Sequence, residues 1–458
     1  MRDMSELERR GIPTASFTAE SFHEDARYSA RVFGLPELPI VLAPQPFTNR
    51  TPEAIHRMVD GAMPRVVDAL TRDREAEDAV PEFEHVQLAP EPRLTYEGSD
   101  LLEAFDALNT DFVARGWSDG LPLVPPTPAK VDAMVNASGR DGDELIGHFA
   151  PGRGIGTVEK IAANAVMAGA PPDAMPVILG VMECVLDPSI GLRTWAMSTG
   201  PQAPLIMVSG PVAEEIGMNS GICALGPASR SQVNVAIGRT LRLVMLNVGH
   251  AYPGVGDMDT IGSAMKFGAC VAENESRNPW APYRVERGYT ALQSTVTVNV
   301  PYGVTELFDF QNHDPELLIE NFATVAATSC GSPNSGVWLV KSPADLAQGY
   351  PFHGTFHNTI LMCPEHAEVF ATAGWSTSDV ASALYEKVRL PFRKLMLNQP
   401  MHSFEVAHPE LLWLRDAPDT EISVFPHPDV FEIFVVGADA GRSLYHFGGT
   451  LSVTKPVP

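Results

Sequence analysis

Helical and strand patterns alternate from the start of the chain, and this alternation constrains the fold more than any other feature. Strand patterns at 13–18 and 38–43 lie between helical patterns at 5–10, 22–33 and 51–70. Alternation of this kind predicts a small parallel-sheet domain over residues 1–72. We expect this domain to begin within a unit, since no strand pattern precedes the first helix.

The rest of the chain divides into a linker and a body. Residues 73–98 are acidic, contain proline and lack periodicity, which predicts a linker. Residues 99–458 contain no second segment of that kind, so they predict one large α/β catalytic domain, with helices at 157–168 and 231–248 and a strand at 337–341. The predicted class is α/β, with a small flavodoxin-like N-terminal lobe whose first unit is incomplete.

Charge and composition exclude several classes of partner. The formal net charge of −24 argues against nucleic acid and anionic membrane surfaces. No apolar run is long enough to predict a membrane span. The five cysteines are too scattered for a disulfide scaffold, which favours a reducing cytoplasm. They are Cys184, Cys223, Cys270, Cys330 and Cys363.

A glycine-rich stretch, residues 152–160, precedes an apolar helical run. Its glycines permit a sharp turn and close approach of a ligand, and Thr157 is a suitable N-cap. Exposed amides there, together with Lys160, predict an anion site. The substrate-binding residues predicted here are Gly154, Gly156, Thr157 and Asn164. The alternative is a turn before a core helix whose Lys160 reaches water; the spacing matches neither a phosphate loop nor a dinucleotide fingerprint.

Three further loops combine Gly, Asn and Ser with an acid or a thiol, and we expect all four loops to line one pocket. Their predicted substrate-binding residues are Asn219, Ser220, Cys223, Asn274, Ser332 and Asn334. Glu273 is the predicted general acid/base, although a solvated carboxylate fits nearly as well. Cys330 is the predicted nucleophile, with a binding-loop role or a buried structural thiol as alternatives.

The long helical pattern at 231–248 carries a cation near a glycine in mid-helix. Arg239 or Arg242 is predicted to clamp a carboxylate on the substrate, with a surface salt bridge as the alternative. Gly238 predicts close approach of a backbone or a ligand, because glycine costs about 1 kcal/mol within a helix. His353 and His357 have a spacing that suits zinc on a helix, but Gly354 argues against a helix, and we predict no metal site. The sequence identifies no cofactor.

The chain resembles the UGSC family of selenoproteins and thiol homologues. Residues 6–14 and 31–36 resemble the start of that family, and the body looks like its long members at residues 119–127, 157–162, 237–239, 273–275 and 364–367. The resemblance implies a selenocysteine-or-Cys-Gly-Ser-Cys motif before the first helix. That motif is absent here, so we expect a start upstream of Met1, a separate subunit that carries the motif, or a protein that does not need it.

These observations predict a cytoplasmic enzyme, most simply a homodimer, that acts on a small polar or anionic metabolite. The predicted reaction is lyase- or hydratase-like bond cleavage, elimination or addition, with Lys160, Glu273 and Cys330 as catalytic residues. One alternative is a thiol- or selenol-dependent reductase whose redox motif is missing. The other is a non-catalytic binding or assembly subunit of a complex.

Overall fold

The computed structural model describes residues 2–44, 50–71, 93–329, 336–341, 357–397 and 399–457. Helices and small mixed sheets make up the chain, which confirms the predicted mixed α/β class. The predicted linker falls mostly outside the described residues, so the domain boundaries stay a prediction.

Helices of the described residues follow one another in this order: α1 (Arg2–Arg9), α2 (His23–Val32), α3 (Pro52–Thr71), α4 (Leu101–Ala114), α5 (Pro128–Ser138), α6 (Val158–Ala168), α7 (Met175–Val185), α8 (Leu192–Ala196), α9 (Val212–Glu215), α10 (Gln232–Asn247), α11 (Tyr283–Glu286), α12 (Pro315–Thr328), α13 (Pro364–Thr372), α14 (Thr377–Lys387), α15 (Phe392–Leu395) and α16 (Met401–Ala407). Short 3-10 helices link several of them.

Strands are short, and they are β1 (Ser16–Ala19), β2 (Ile40–Ala43), β3 (Leu145–Phe149), β4 (Gly154–Thr157), β5 (Leu205–Ser209), β6 (Ala269–Ala272), β7 (Ser294–Asn299), β8 (Gly303–Phe308), β9 (Asn358–Met362), β10 (Arg389–Pro391), β11 (Glu421–Ser423), β12 (Phe431–Val435), β13 (Arg442–Phe447) and β14 (Val453–Val457). The strands β5, β6, β9 and β12 are buried along their whole length. Continuous burial of this kind is typical of strands covered on both faces.

The N-terminal segment contains one parallel β-α-β unit. The strands β1 and β2 pair in parallel, with Ser16 opposite Ile40. The helix α2 connects them, and Gly34, at a φ of 73°, follows its C-terminal end. The predicted βα alternation is therefore present over residues 16–43.

Two four-stranded sheets form the body. The first has the order β14-β7-β5-β6 and the second the order β12-β9-β13-β8. Each contains one parallel pair, β5 with β6 and β9 with β12. The helices α6, α7 and α10 pack on one face of the first sheet, and α12, α13 and α14 on one face of the second.

The other faces of the two sheets meet each other. Met207 and Val271 of the first sheet belong to the same buried cluster as Leu361 and Phe434 of the second. The layers therefore run helix, sheet, sheet, helix. This arrangement buries both faces of the central strands and explains their apolar sequences.

Two local expectations are wrong. The predicted strand at 337–341 is a 3-10 helix, Val337–Val340, which begins after Gly336 in a left-handed conformation. The glycine-rich stretch is not an open turn, because Gly154–Thr157 forms strand β4, paired antiparallel with β3.

No single helix in the described ranges is both long and apolar enough to cross a bilayer, although the bent pair Pro172–Val185 and Pro188–Ala196 passes that test by length and composition.

Candidate functional site

Two of the predicted residues, Ser220 and Asn274, meet at Gly437, just beyond the carboxyl end of β12. The Asn274 side chain donates to the Gly437 carbonyl at 2.9 Å, and the Gly437 amide donates to the Ser220 carbonyl at 2.8 Å. Asn219 and Glu273 are the chain neighbours of Ser220 and Asn274. Two of the four predicted loops therefore converge, as the carboxyl ends of parallel strands favour.

Glu273 is buried in this cluster and is fully hydrogen-bonded. Its carboxylate accepts from the Ser209 hydroxyl, from the Tyr283 amide at 2.9 Å and from the Asn278 side chain at 2.8 Å. Burial raises the pKa of Glu273, and these hydrogen bonds work against that rise. These hydrogen bonds fix the Glu273 carboxylate between β5 and α11.

Next to it, Glu275 and Arg284 form an ion pair at 2.6 Å. Glu275 also accepts from the Gly210 amide at 2.9 Å, and Arg284 donates to the Ser209 hydroxyl at 3.1 Å. Arg284 is buried, so its charge is compensated within the cluster. The whole group joins β5, β6 and α11.

At the start of α6, where an anion site is expected, the glycines face other parts of the protein. A Cβ on Gly154 would overlap the Val248 carbonyl, and one on Gly156 would overlap the Phe149 ring. Both glycines therefore make room for protein atoms. Thr157 caps α6 as predicted, since its hydroxyl accepts from the Lys160 amide at 3.3 Å.

The polar edge of α6 contacts the end of α10. Asn164 donates to the Lys160 carbonyl at 2.8 Å, and Asn247 donates to the Asn164 side chain at 2.7 Å. The charge of Lys160 also acts on His250, just beyond α10. Lys160 therefore lies at the C-terminal end of α10.

Lys160 and Glu273 do not share a pocket, which corrects the expectation of four loops around one cavity. Asn219 is hydrogen-bonded to Asn234, near the N-terminal end of α10, at 2.9 Å. That helix has 16 residues, so its two ends are about 24 Å apart. The Glu273 cluster lies at one end and Lys160 at the other.

In the described part of the chain, the other predicted site residues are not seen to join the Glu273 cluster. Arg239 makes a bidentate ion pair with Asp119 at 2.7 and 2.9 Å, so its clamp acts on a protein carboxylate. Cys223 is exposed and has a φ of 57°. Cys330, Ser332 and Asn334 lie outside the described residues.

A cluster that sequence reasoning missed lies where the N-terminal segment meets the body. We call it the junction site, and it consists of Asp25, Tyr28, Gly152, Lys160, Arg193 and His250. A Cβ on Gly152 would overlap the Tyr28 hydroxyl and lie 2.8 Å from His250 Nδ1. The phenol and the imidazole therefore converge on one point, over a backbone that carries no side chain.

Arg193 holds the two parts of the chain together at this site. Its guanidinium donates to the Ser29 hydroxyl at 3.1 Å and to the Pro151 carbonyl at 3.3 Å. It also lies 4.7 Å from the centre of the Phe33 ring, within the range of a cation–π contact. Both Ser29 and Phe33 belong to the N-terminal segment.

The pKa values of three groups in the junction site differ from their ordinary values. Burial, followed by the charge of Lys160, lowers the pKa of His250. Burial raises the pKa of Tyr28 to about 12. Burial likewise raises the pKa of Asp25, and the charge of Arg193 opposes that rise. Near neutral pH the imidazole is therefore uncharged and the phenol protonated.

Two polar atoms of this cluster are buried and have no hydrogen-bond partner within the described ranges. They are the Tyr28 hydroxyl and one carboxylate oxygen of Asp25. Such atoms in a native structure call for an explanation, and a bound molecule is one. The backbone also carries strain here, because Arg153 has a φ of 58° and His250 a φ of 55°.

The sequence contained a partial signal for this site. The glycines around Arg153 and the presence of Lys160 predict an anion site, and Lys160 does belong to the junction site, with Arg153 next to Gly152. Nothing local indicated Tyr28, Arg193 or His250, because they come from three distant segments. Among the described residues, no group of three or more His, Cys, Asp and Glu side chains is arranged to hold a metal ion.

Comparisons with known proteins give one positive finding. Searches of curated proteins and of solved structures found no significant match to the chain. The model of the UGSC family matches residues 1–72, the segment that contributes Asp25 and Tyr28. The segment that completes the junction site is therefore the part of the chain that the UGSC family model matches.

Proposed function

We propose that the protein is an enzyme that moves a proton on a small anionic metabolite, in a lyase- or hydratase-like reaction at the junction site. The observation that carries this proposal is the convergence of the Tyr28 hydroxyl and the His250 imidazole above Gly152. Cations lie beside both groups. The site thus combines an acid, a base and positive charge, which such a reaction needs.

His250 is the proposed general base. A lowered pKa keeps the imidazole neutral near pH 7, so that it can accept a proton from carbon or from water. Tyr28 is the proposed general acid, since its hydroxyl remains protonated at that pH. Their proximity allows one substrate to contact both.

Lys160 and Arg193 are proposed to hold the anionic group of the substrate. A guanidinium has five N–H donors, and Arg193 donates to Pro151 and Ser29 within the described ranges, which leaves donors for a substrate. The buried oxygen of Asp25 offers an acceptor for a substrate hydroxyl or amine. A hydroxy acid or an amino acid has this combination of groups.

We further propose that the N-terminal segment is flavodoxin-like and that the enzyme works in the cytoplasm. The parallel β-α-β unit supports the first point. The free thiols of Cys184, Cys223, Cys270 and Cys363 fit a reducing compartment.

Solvent exchange tests the proposed reaction without knowledge of the natural substrate. The protein is incubated in D₂O with a panel of 2-hydroxy, 3-hydroxy and 2-amino carboxylates, and loss of C–H signals is followed by ¹H NMR. We expect catalysed exchange for at least one class of acid. His250→Gln should slow it by about 10²-fold or more, because removal of a general base costs roughly that factor.

The matched control is His402→Gln, which changes an exposed histidine of α16 and should leave exchange unchanged. Tyr28→Phe should slow exchange while leaving the melting temperature close to that of the wild type. Exchange that is equally fast in His250→Gln and in the wild type would rule out the assignment of the base.

A further inference from the structure

A cavity lies beside the junction site, between α8, α10 and the first sheet. It contains about 460 Å³ of empty space, part of it open to solvent. Most of its wall is apolar, from side chains such as Ile206, Leu241 and Met245. A mostly apolar lining with a few polar groups is typical of a small-molecule site.

Two hydrogen-bond donors line this cavity and have unused capacity. Trp195 is 8% exposed, and its indole N–H has no partner within the described ranges. Arg242 donates from Nη1 to Asp257 at 3.0 Å. Since a guanidinium carries five N–H groups, most of its donors remain available to a ligand.

The other charged groups of the wall are already occupied. Lys266 contacts both oxygens of Asp257, at 3.0 and 3.1 Å, and lies 3.0 Å from Asp259. Asp257 therefore receives two cations and orients Arg242. The wall thus presents donors and apolar surface to a ligand, and its carboxylates are engaged by protein cations.

We propose that this cavity binds a small apolar carboxylic acid, with its carboxylate on Arg242 and Trp195 and its hydrocarbon part against the apolar wall. A guanidinium matches a carboxylate in planar, bidentate geometry, which favours this ligand over a neutral acceptor. The site is distinct from the junction site, whose residues are absent from its lining. The inference therefore does not depend on the proposed function.

The test uses 4-(trifluoromethyl)benzoate as the probe and ¹⁹F NMR of the full chain as the readout. We expect the probe signal to broaden and shift on titration with protein. The matched neutral probe, 4-(trifluoromethyl)benzamide, should bind at least about tenfold more weakly. Equal binding of both probes, or no binding of the benzoate, would overturn the proposal.

Variants assign the binding to this cavity. Arg242→Gln should weaken benzoate binding at least about tenfold, and Trp195→Phe should weaken it severalfold while keeping the ring. Arg242→Lys keeps the charge beside Asp257, so it gives an intermediate loss even where Arg242→Gln unfolds the protein.

Two controls separate the alternatives. Arg230→Gln removes an exposed arginine just before α10 and should bind the probe as the wild type does. Tyr28→Phe disables the junction site and should also bind normally. Probe binding that is lost in Tyr28→Phe but kept in Arg242→Gln would place the ligand at the junction site and refute this assignment.

Discussion

His250 shows how one residue can acquire a functional pKa from its surroundings. It follows α10 in a left-handed backbone conformation, with a φ of 55°. Its ring stacks on Tyr252 at 6.0 Å, and the charge of Lys160 acts on it. Burial and a nearby cation both disfavour the imidazolium, so the neutral base persists below the ordinary histidine range.

Removal of the Lys160 charge tests this coupling. Lys160→Met should raise the pKa of His250, because it removes a positive charge that disfavours protonation. The acidic limb of the exchange rate should then move to higher pH. NMR titration of the His250 ring proton measures the shift directly. Lys130→Met, at an exposed lysine of α5, is the control; an unmoved or lowered His250 pKa would contradict the coupling.

Helix α10 runs from the Glu273 cluster to the junction site and packs closely on the first sheet. A Cβ on Gly238, in its middle, would lie 2.5 Å from the Gly268 Cα, so the backbones of α10 and the start of β6 touch there. The predicted close approach is therefore to a backbone. Glycine in a helix interior normally weakens the helix, and here it is the packing that requires it.

A pair of alanine substitutions separates these two effects. Gly238→Ala should lower the free energy of unfolding by about 1–3 kcal/mol, since overpacking against backbone exceeds the gain in helix propensity. Gly61→Ala is the matched control in α3, where a Cβ would meet nothing within 4 Å, and it should stabilise the protein by roughly 0.4–1 kcal/mol. Urea unfolding measures both. A Gly238→Ala protein as stable as the wild type would show that α10 can shift away from β6.

At the scale of the whole molecule, the buried side chain of Glu432 links the second sheet to the end of α11 and to the C-terminal segment. Glu432 of β12 pairs with Arg287 and lies 3.0 Å from His357 Nδ1. It also accepts from the Ser452 hydroxyl, just before β14. Burial alone would raise the pKa of Glu432, but the charges of His357 and Arg287 and the hydrogen bonds hold it at about 2.

This depressed pKa predicts how stability depends on pH. The contribution of Glu432 is fully present above its ordinary pKa of 4.5 and is lost as the pH falls towards 2. Glu432→Gln should therefore flatten the acid branch of a stability–pH curve. At pH 7 it should cost about 3–5 kcal/mol, because Arg287 loses a buried partner.

The control for this change is an exposed ion pair. Glu306 pairs with Arg442, and both side chains are about half exposed. Glu306→Gln should cost less than about 1 kcal/mol and leave the acid branch unchanged. Urea unfolding from pH 3 to 7 measures both variants. Similar decreases in the free energy of unfolding would show that the contacts of Glu432 do not stabilise the attachment of the second sheet to its neighbours.

Much of the local structure follows from the sequence alone. The helical pattern at 231–248 matches α10 closely, and Thr157 caps α6 as its side chain allows. Gly11 and Gly34 follow helix ends in left-handed conformations. These features depend on hydrogen bonds and side-chain periodicity within a few residues, so a short stretch of sequence contains their cause.

Only the tertiary structure decided which segments meet. β14, at the end of the chain, pairs with β7, and the N-terminal segment brings Tyr28 to His250. Conversely, Lys160 and Glu273 lie at opposite ends of α10, although their loops have similar compositions. Such contacts depend on strand register and on the packing of whole layers, which long-range burial selects and which no local pattern encodes.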